Sequence, residues 1–547
     1  MVDINEYGIK PFGALPNERQ VAHYKIGKKV FFHFSVNTFT SNEWGTGKEV
    51  EDVFTPSELD TDQWIRVAKE SGFELAILTV KHHDGFCLWP SAYTSHSVKN
   101  SPYKNGEGDV LREFVDSCHK YGMKVGVYLS PWDRHSPHWG KDDYNDYYAA
   151  QLTELMTGYG EIYEVWWDGA GSRDATYDWG AWENIIRKYQ PKAAIFGSMG
   201  AAPFADLRWV GNESGYAGEK HYASIDMQDI IDELRSSLNE GRVGADTYRP
   251  SEVDVSIRPG WFYHPEQDKK VKSVSKINKI WFNSVGRNSM MLLSFPPDTR
   301  GLVCDKDAEN AIASNKCIEK MLSVNYAEGA DISVPGGRVF KVVDRADGEA
   351  LSVYEASVID ISLPCPQKIN VFSIGELIEA GERITSFKLE AIENGVARLL
   401  YEGSSVGFRR AFVFEEGEYT QLRFTVSGRM AEPLLTRIGL YYFEDVEEDE
   451  VIERGDNIVK SFETSCEGRR VDVFFGGIYP FDRVEFGLDQ KSKYRVYVFS
   501  GQVYEPVYEG DAIGRVGINF EKPFTESYQI RVEAENTKIT DVIVKLR

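Results

Sequence analysis

Short apolar runs alternate with longer amphipathic segments between Val30 and Ser294. The apolar runs predict buried strands: KVFFHFSV, ELAILTV, KVGVYLS, EIYEVWW, AAIFGS and MMLLSF. Segments with helical spacing lie between them and end at Gly or Pro, as in TDQWIRVAKESG, DVLREFVDSCHKYG, YNDYYAAQLTELMTGYG and WENIIRKYQP. This α/β alternation favours a (β/α)8-like TIM barrel. A doubly wound open sheet is the alternative, but the turns after the strands lack a G-x-G-x-x-G phosphate loop.

The pattern changes after about Leu302, where helical spacing fades and polar and apolar residues alternate. Runs such as VIDISLPC, KINVFSI, RAFVFEE and QLRFTVSG predict an antiparallel β-sandwich, and RVDVFFGG, DRVEFGL and YRVYVFSG belong to a later set. A chain of 547 residues is too long for one hydrophobic core. We therefore predict a (β/α) barrel over residues 1–303, a β-sandwich domain over 304–444 and a β-rich accessory domain over 445–547.

The composition of the chain limits the kinds of partner that it can bind. A formal net charge of -23 opposes binding to nucleic acid or to anionic membranes, and no run is long and apolar enough to span a bilayer. A neutral substrate suits this charge better. The N-terminal MVDINEYGIKPFG has neither a basic n-region nor an apolar h-region, so we expect a cytoplasmic protein or an exported one whose signal peptide has been removed.

Polar and aromatic residues follow nearly every predicted strand of the barrel. Active sites of (β/α) barrels lie at the carboxyl ends of the strands, so these residues should converge there. Imidazoles and carboxylates can hydrogen-bond sugar hydroxyls while aromatic rings cover the C–H face of a pyranose. The pattern therefore predicts a monosaccharide pocket. The candidates are His33, Glu43, Trp44, His82, His83, Asp84, Tyr128, Trp132, Trp166, Asp168, Arg208, Glu213, Arg258, Trp261 and His264.

Two of these carboxylates suit glycoside cleavage, which in most families needs one ionised and one protonated carboxyl group. Asp168 ends a predicted strand and is followed by a glycine, which fits a nucleophile; a helix N-cap is the alternative. Glu213 lies in the glycine-flanked loop GNESG, which fits a general acid of raised pKa; an ordinary surface-loop glutamate is the alternative. The tandem histidines next to Asp84 lack a zinc-ligand spacing, so we predict no metal site.

The sequence resembles glycoside hydrolase family 29, the α-L-fucosidases. The matching stretches run in family order from about residue 12 to 303: FGALPNERQ, FFHFSVNTFTSNEWG, LTVKHHDGFCLWPS, GVYLSPWDRH, VWWDGA, RWVGNESG, VSIRPGWFYH and VGRNSMMLLSFPPDTRGLV. The resemblance implies a catalytic TIM barrel, with Asp168 as nucleophile. It implies that fucose is held by His33, Glu43, Trp44, His82, His83, Tyr128 and Trp166, with Trp261 near the sugar's methyl group.

The variants NTFTSNEWG, GNESG and SIRPGWFYH resemble the subgroup that acts on α1,3/4-linked fucose of branched, Lewis-type glycans. That subgroup implies Glu213 as acid/base, with Glu252 as the rival carboxylate. Arg208 and Arg258 remain candidates for the pocket or a subsite. The resemblance further implies double displacement with no cofactor, a fucosylated glycan as substrate, and export. The last hundred or so residues resemble carbohydrate-binding modules only loosely.

Three other functions stay open on the sequence alone. One is a related exo-glycosidase such as an α-L-galactosidase, which would need a roomier or more polar wall near Trp261 to accept a hydroxymethyl group. Another is a non-catalytic carbohydrate-binding protein that uses the same pocket. A third is an unrelated metal-dependent barrel hydrolase. The oligomeric state is not determined by these patterns.

Overall fold

A computed structural model describes residues 1–171, 175–232, 234–445, 458–459, 461–475, 481–499, 504–524 and 529–545. These residues form two compact units. The first contains residues 1–210 and the described residues from 215 to 445, and the second contains Gly211–Ser214 and the described residues from 458 onward. Among the described helices, none combines the length and apolar character that crossing a bilayer requires.

Within the described residues, eight parallel strands close into a barrel, so the predicted fold class is confirmed. Around the barrel the strands follow chain order, and the last pairs with the first. A short antiparallel pair, β7 (Ser224–Ile225) and β8 (Thr247–Tyr248), interrupts the series. The barrel strands are β1 (Lys28–Phe32), β2 (Leu75–Lys81), β3 (Lys124–Leu129), β4 (Glu164–Trp167), β5 (Ala194–Gly197), β6 (Leu207–Trp209), β9 (Ser251–Ser256) and β10 (Met290–Phe295).

Helices follow most of these strands, and side-chain caps fix several of their starts. Asp60, Asp109 and Ser273 each accept a hydrogen bond from a backbone N–H in the first turn of the helix that follows. The helices are α1 (Glu18–Ile26), α2 (Val36–Thr40), α3 (Thr61–Glu70), α4 (Val110–Tyr121), α5 (Tyr144–Gly158), α6 (Trp179–Tyr189), α7 (Met227–Ile231), α8 (Arg235–Glu240), α9 (Val274–Asn283) and α10 (Asp305–Leu322).

The helix α10 contradicts the expectation that helical structure fades after Leu302. Polar residues interrupt the apolar stripe on its buried face, where Asp307, Asn310, Ser314 and Asn315 lie among Ala311, Ile318 and Met321. These polar side chains bond to the barrel layer instead: Ser314 Oγ donates to Asn278 Oδ1 at 2.7 Å. α10 packs on α9 and α3. The predicted domain division at residue 303 stays a prediction, and the helix that follows it lies against the barrel.

A largely antiparallel sheet follows the barrel within the first unit, as predicted. Several predicted pairs of strands are continuous: VIDISLPC and KINVFSI form one strand, and RAFVFEE and QLRFTVSG another. Register shifts at the polar interruptions, such as Ser362 to Gln367, let these strands continue. The strands are β11 (Asp331–Ser333), β12 (Arg338–Val343), β13 (Ala350–Glu355), β14 (Val358–Glu376), β15 (Ile384–Glu393), β16 (Val396–Gly403), β17 (Arg410–Arg429) and β18 (Leu435–Tyr441).

The second unit is also built on an antiparallel sheet with its own apolar core. Alternate residues along its strands are buried, for example Val471 and Val473, which is the period-two pattern that the sequence shows. Its strands are β19 (Ser461–Ser465), β20 (Arg470–Phe474), β21 (Phe481–Phe499), β22 (Tyr504–Phe524), β23 (Gln529–Ala534) and β24 (Ile539–Lys545).

Charged side chains lie inside the barrel, among its apolar layers. Lys29 on β1 donates to Glu164 Oε2 at 2.7 Å and to Glu252 Oε1, and all three side chains are fully buried. Glu252 Oε2 accepts a hydrogen bond from Trp166 Nε1 at 3.1 Å. Burial and the neighbouring Glu164 raise the pKa of Glu252 to about 7, against the opposing effect of Lys29. The barrel therefore depends on a buried ion network that links three of its strands.

Replacement of Lys29 by methionine should destabilise the first unit strongly. The change leaves two carboxylates buried without their cation, and breaking such a pair costs about 3–5 kcal/mol. Chemical denaturation of the full chain measures the effect. Lys69→Met, on the exposed side of α3, is the matched control and should stay within about 0.5 kcal/mol of wild type. Equal stability of the two variants would contradict a structural role for the network.

Candidate active site

The carboxyl ends of the first four barrel strands bring five of the predicted site residues together. His33 follows β1, His82 and His83 follow β2, Tyr128 lies near the end of β3, and Asp168 follows β4. Parallel strands in register place these ends at one mouth of the barrel. The convergence that the sequence predicted for them is therefore present in the structure.

Asp168 is held by three neighbours. Its Oδ2 accepts a hydrogen bond from Tyr128 Oη at 2.9 Å and lies 3.6 Å from His83 Nε2, while its Oδ1 accepts from the backbone N–H of Ala170 at 2.9 Å. Burial raises the pKa of Asp168 above its usual value, and the bonds from Ala170 and Tyr128 oppose that rise by stabilising the carboxylate. The group is thus oriented and keeps 19% of its side chain exposed, which lets a ligand reach it.

The three histidines of the site are neutral at ordinary pH. Burial, reinforced by a neighbouring imidazole, holds the pKa of His33 and of His82 well below the usual value, and burial next to Arg134 lowers the pKa of His83 to about 3. Their rings are fixed: Nδ1 of His33 bonds Ser294 Oγ at 2.9 Å, and Nδ1 of His83 bonds Ser130 Oγ at 2.7 Å. Neutral imidazoles can both donate to and accept from hydroxyl groups.

His82 differs from the other two. Within the described residues its buried Nδ1 has no hydrogen-bond partner. An unsatisfied buried polar atom costs about 1–3 kcal/mol, so a native structure retains one where a ligand or water supplies the partner. The ring stacks on Tyr128, with 5.6 Å between centroids, and this contact fixes where the nitrogen points.

Aromatic rings form the rest of the wall. The ring centroid of His33 lies 5.0 Å from that of Trp261, and Trp166 stacks on Phe196 at 3.8 Å. Trp44 is 52% exposed and meets Trp132 edge to face at 5.9 Å. The buried rings can cover an apolar sugar face, and the exposed Trp44 can contact groups attached to that sugar.

Glu43 organises the loop that carries Trp261. Its Oε2 accepts a hydrogen bond from the backbone N–H of Trp261 at 2.8 Å, and its Oε1 lies 2.5 Å from Nε2 of His264. The hydrogen bond that His264 donates to Glu43 raises the pKa of His264 above its usual value, against the effect of burial. In this structure Glu43 therefore positions an aromatic wall of the site.

Glu213 lies in the loop that follows β6, within Gly211–Ser214, and is half-buried. That segment belongs to the second unit. In the same segment the backbone N–H of Ser214 donates to Asn212 Oδ1 at 3.0 Å. The role of Glu213 as acid/base stays a prediction.

Glu252, the rival carboxylate, is 0% exposed inside the barrel, where Lys29 and Trp166 bond its two oxygens. No sugar oxygen can reach it in this arrangement, so the structure places it outside the pocket.

Arg208 and Arg258, which the sequence left as candidates for the pocket or a subsite, make structural contacts. Arg208 is 1% exposed and donates to four backbone carbonyls, among them those of Tyr222 at 2.8 Å and Leu238 at 3.0 Å. Arg258 donates to Asp307 at 2.7 Å and Asp268 at 2.8 Å, and so ties its loop to α10.

Sequence reasoning missed three residues that shape the site. Phe262 lies 5.0 Å from His82 and 5.6 Å from His33 between ring centroids, and Ser130 and Ser294 orient two of the histidines. Ser294 interrupts the apolar run MMLLSF, and Ser130 directly follows β3. A polar residue inside or just after a buried strand was therefore the available signal.

Comparison with known proteins agrees with this geometry. The model of the α-L-fucosidase family matches residues 16–313. Alpha-L-fucosidase 1 of Arabidopsis thaliana is 38% identical over 451 residues, which cover 79% of this chain and 88% of that protein.

Two solved structures extend the similarity. A glycoside hydrolase family 29 member from an unknown rumen bacterium has a TM-score of 0.75 at 32% identity, over 98% of this chain and 100% of that one. A family 29 fucosidase of Ruminococcus gnavus, solved in complex with fucose, has a TM-score of 0.71 at 29% identity, over 80% of this chain and 96% of that one.

Replacement of Glu43 by glutamine should weaken the His264 loop in a pH-dependent way. Because the pKa of His264 is raised in the folded protein, its bond to Glu43 contributes stability below the unfolded pKa, and this contribution is lost as the pH rises through the folded pKa. We expect Glu43→Gln to cost about 1 kcal/mol more near pH 5 than near pH 8.

Thermal unfolding at both pH values measures the difference. Glu266→Gln is the matched control, since Glu266 lies 3.9 Å from the other ring nitrogen of His264 and its side chain is 69% exposed. A cost that is independent of pH for Glu43→Gln would contradict the charged pair.

Proposed function

Because the chain belongs to the α-L-fucosidase family of glycoside hydrolases, we propose that it is a retaining exo-glycosidase that removes α1,3/4-linked fucose from branched, Lewis-type glycans. The observation that carries the mechanism is the carboxylate of Asp168, oriented at the end of a barrel strand by Tyr128 and Ala170. Double displacement is the reaction that this group and a second carboxyl group can perform.

In the first step, Asp168 attacks the anomeric carbon of the fucoside while the carboxylic acid of Glu213 donates its proton to the leaving glycosidic oxygen. A bond between Asp168 and the sugar forms as the bond to the leaving oxygen breaks. In the second step, the carboxylate of Glu213 takes a proton from water, and the water oxygen displaces Asp168 at the same carbon. Two inversions return the original configuration, and no cofactor takes part.

The neutral charge of the histidines and the hydrogen bond from Tyr128 support Asp168 as the nucleophile. The three neutral histidines add no positive charge that would make the Asp168 carboxylate a weaker nucleophile. The bond from Tyr128 favours the ionised form of the carboxylate against the effect of burial, and the same oxygen can release that bond when it attacks. Burial of the site also strengthens the attraction between the carboxylate and a transition state of oxocarbenium character.

The proposed sugar position follows from the same residues. Fucose is a neutral deoxy sugar, so its recognition requires hydrogen bonds to hydroxyl groups and an apolar contact for its methyl group. His33, His82 and His83 supply ring nitrogens, and Trp261 supplies the apolar wall. We propose that Trp44, through its exposed ring, contacts the sugar that carries the fucose and thereby favours branched substrates.

The compartment and the second unit are also matters of proposal. We propose that the protein acts outside the cytoplasm, where glycans of this type are found, and that the second unit increases its affinity for a glycan surface. Neither assignment affects the chemistry at Asp168.

The first test compares wild type and Asp168→Asn on an aryl α-L-fucoside and a Lewis-type trisaccharide. We expect wild type to cleave the trisaccharide, with the aryl fucoside a poor substrate, and to release α-L-fucose as the first product in a time-resolved proton NMR spectrum. Asp168→Asn should lose on the order of 10⁴-fold or more in kcat, because an amide cannot act as the nucleophile, and azide should not restore the retained product.

Release of the β-anomer first would contradict the retaining mechanism. Rapid cleavage of aryl fucoside without cleavage of the trisaccharide would contradict the linkage preference alone and leave the mechanism intact. Failure to cleave either substrate would point to a related sugar, such as α-L-galactose.

Replacement of Glu213 by alanine should affect substrates according to their leaving groups. A general acid contributes about 10²–10⁴-fold, so kcat/KM for the trisaccharide should fall by that amount. An activated aryl fucoside needs little protonation and should lose less than about tenfold in kcat/KM. Added azide should yield an α-fucosyl azide, because it replaces the base-activated water in the second step. Glu240→Ala, an exposed carboxylate on α8, is the control, and an equal loss on both substrates would exclude Glu213 as the acid.

A further inference from the structure

A second cluster of ligand-type side chains lies in the loops that follow the first three barrel strands. Glu51 precedes α3, His96 precedes α4 and His135 precedes α5. Each offers one ligand atom, and the three atoms lie within 4.8 Å of one another. The imidazole rings of His96 and His135 stack with 3.9 Å between centroids and 12° between planes, and His96 Nδ1 lies 2.8 Å from Glu51 Oε1.

His135 is held in place from outside the cluster. Its Nδ1 donates to the backbone carbonyl of Gly47 at 2.9 Å, which leaves Nε2 of the neutral ring with a lone pair. Its backbone N–H donates to Asp133 Oδ1 at 3.1 Å, and Asp133 is itself bonded by Lys81 at 3.0 Å. A bond from the second ring nitrogen to a carbonyl is the usual way in which proteins orient a metal-binding histidine.

His96 is fully buried, and Phe86 packs edge to face on its ring at 5.3 Å. Its Nε2 is buried and has no hydrogen-bond partner in the part of the chain that the structure describes. Neither packing nor hydrogen bonding in that part of the chain satisfies this nitrogen. An imidazole whose polar atoms are retained at this cost, next to a second imidazole and a carboxylate, suits a ligand that takes nitrogen lone pairs.

We propose that Glu51, His96 and His135 bind a divalent transition-metal ion such as Zn²⁺. Two imidazoles and one carboxylate are the donors that zinc prefers, whereas Ca²⁺ and Mg²⁺ take mostly oxygen ligands. In a tetrahedral zinc site the ligand atoms are about 3.3 Å apart, since each metal–ligand distance is about 2.0–2.1 Å. Side-chain rotation brings the ligand atoms, which lie within 4.8 Å of one another, to that spacing, and water supplies the fourth ligand.

The metal ion has a structural role and takes no part in catalysis. It joins the three loops that also carry Trp44, His82 with His83, and Trp132, so it stiffens the rim of the pocket. The other cluster of this type, His23, Glu164 and Glu252, already encloses the cationic Nζ of Lys29 and leaves no need for a metal. The inference does not rest on the assigned sugar or linkage.

The test uses the full chain without a histidine tag, dialysed against a chelator and titrated with Co²⁺. We expect one Co²⁺ to bind and to give the strong visible absorption of a tetrahedral ion, and Zn²⁺ to displace it and raise the melting temperature. His135→Ala should weaken binding by at least about tenfold. Glu51→Gln, which keeps the hydrogen-bonding shape but not the charge, should do the same and serves if His135→Ala does not fold.

His138→Ala is the matched control, because His138 lies in the same loop and pairs with Asp143 instead, with Nδ1 and Oδ2 2.7 Å apart. It should bind Co²⁺ as wild type does. Saturating L-fucose should leave binding unchanged, since competition would place the metal on the histidines of the pocket and overturn the proposal. Absence of binding to wild type, or equal binding by Glu51→Gln, would also overturn it. The metal-binding proposal does not require the variants to lose hydrolysis. The metal titration can therefore fail or succeed independently of the hydrolysis test of the proposed function.

Discussion

The structure of the site depends on the buried charge of Lys29. Its ammonium group bridges Glu164 and Glu252 in the barrel interior, and the free oxygen of Glu252 holds the indole of Trp166. Trp166 in turn stacks on Tyr128, whose hydroxyl bonds Asp168. An ion network at one level of the barrel thus fixes an aromatic layer above it, and the aromatic layer fixes the carboxylate of Asp168. The bonds of Lys29 and Trp166 to the glutamates are fully buried and the bond from Tyr128 to Asp168 is partly buried, so each link leaves little freedom to the next.

The permanent cations described near this layer bond groups other than Asp168, and Arg134, beside His83, donates to the backbone carbonyl of Gly45. Cations that could have paired with Asp168 are directed elsewhere: Lys81 bonds Asp133, Arg208 bonds backbone carbonyls, and Arg258 bonds Asp307. The histidines that do face Asp168 are kept uncharged by burial. Because these described cations bond other groups, the Asp168 carboxylate is suited to stabilise positive charge that develops on a bound sugar.

The sequence predicted those parts of the fold whose side-chain pattern matches their burial. Six barrel strands are apolar runs and were recognised, whereas β6 has three residues and β9 carries Glu252 inside the barrel, so neither shows the pattern of a buried strand. The helix α10 was not recognised for the same reason, because polar residues interrupt the apolar pattern of its buried face. In the site, the sequence predicted the residues that end strands, because a barrel brings strand ends together independently of the conformation of the loops. The roles of Arg208 and Arg258 stayed open, because proximity to a strand end in the sequence does not distinguish a side chain that points at substrate from one that bonds a neighbouring loop.

The two carboxylates proposed for catalysis, Asp168 and Glu213, are positioned by different means. Asp168 follows directly on β4, so the register of the barrel sets its position to within a bond rotation. Glu213 comes four residues after β6, in a segment bounded by Gly211 and Gly215, whose backbones have φ of 90° and 88°. Such angles are open to glycine and strained for other residues, so the loop turns where these glycines allow. Gly215 is also packed so closely on Ile280 that a side chain would lie 2.8 Å from it. The position of the proposed nucleophile therefore depends on the barrel, and that of the proposed acid/base depends on a loop of specific sequence.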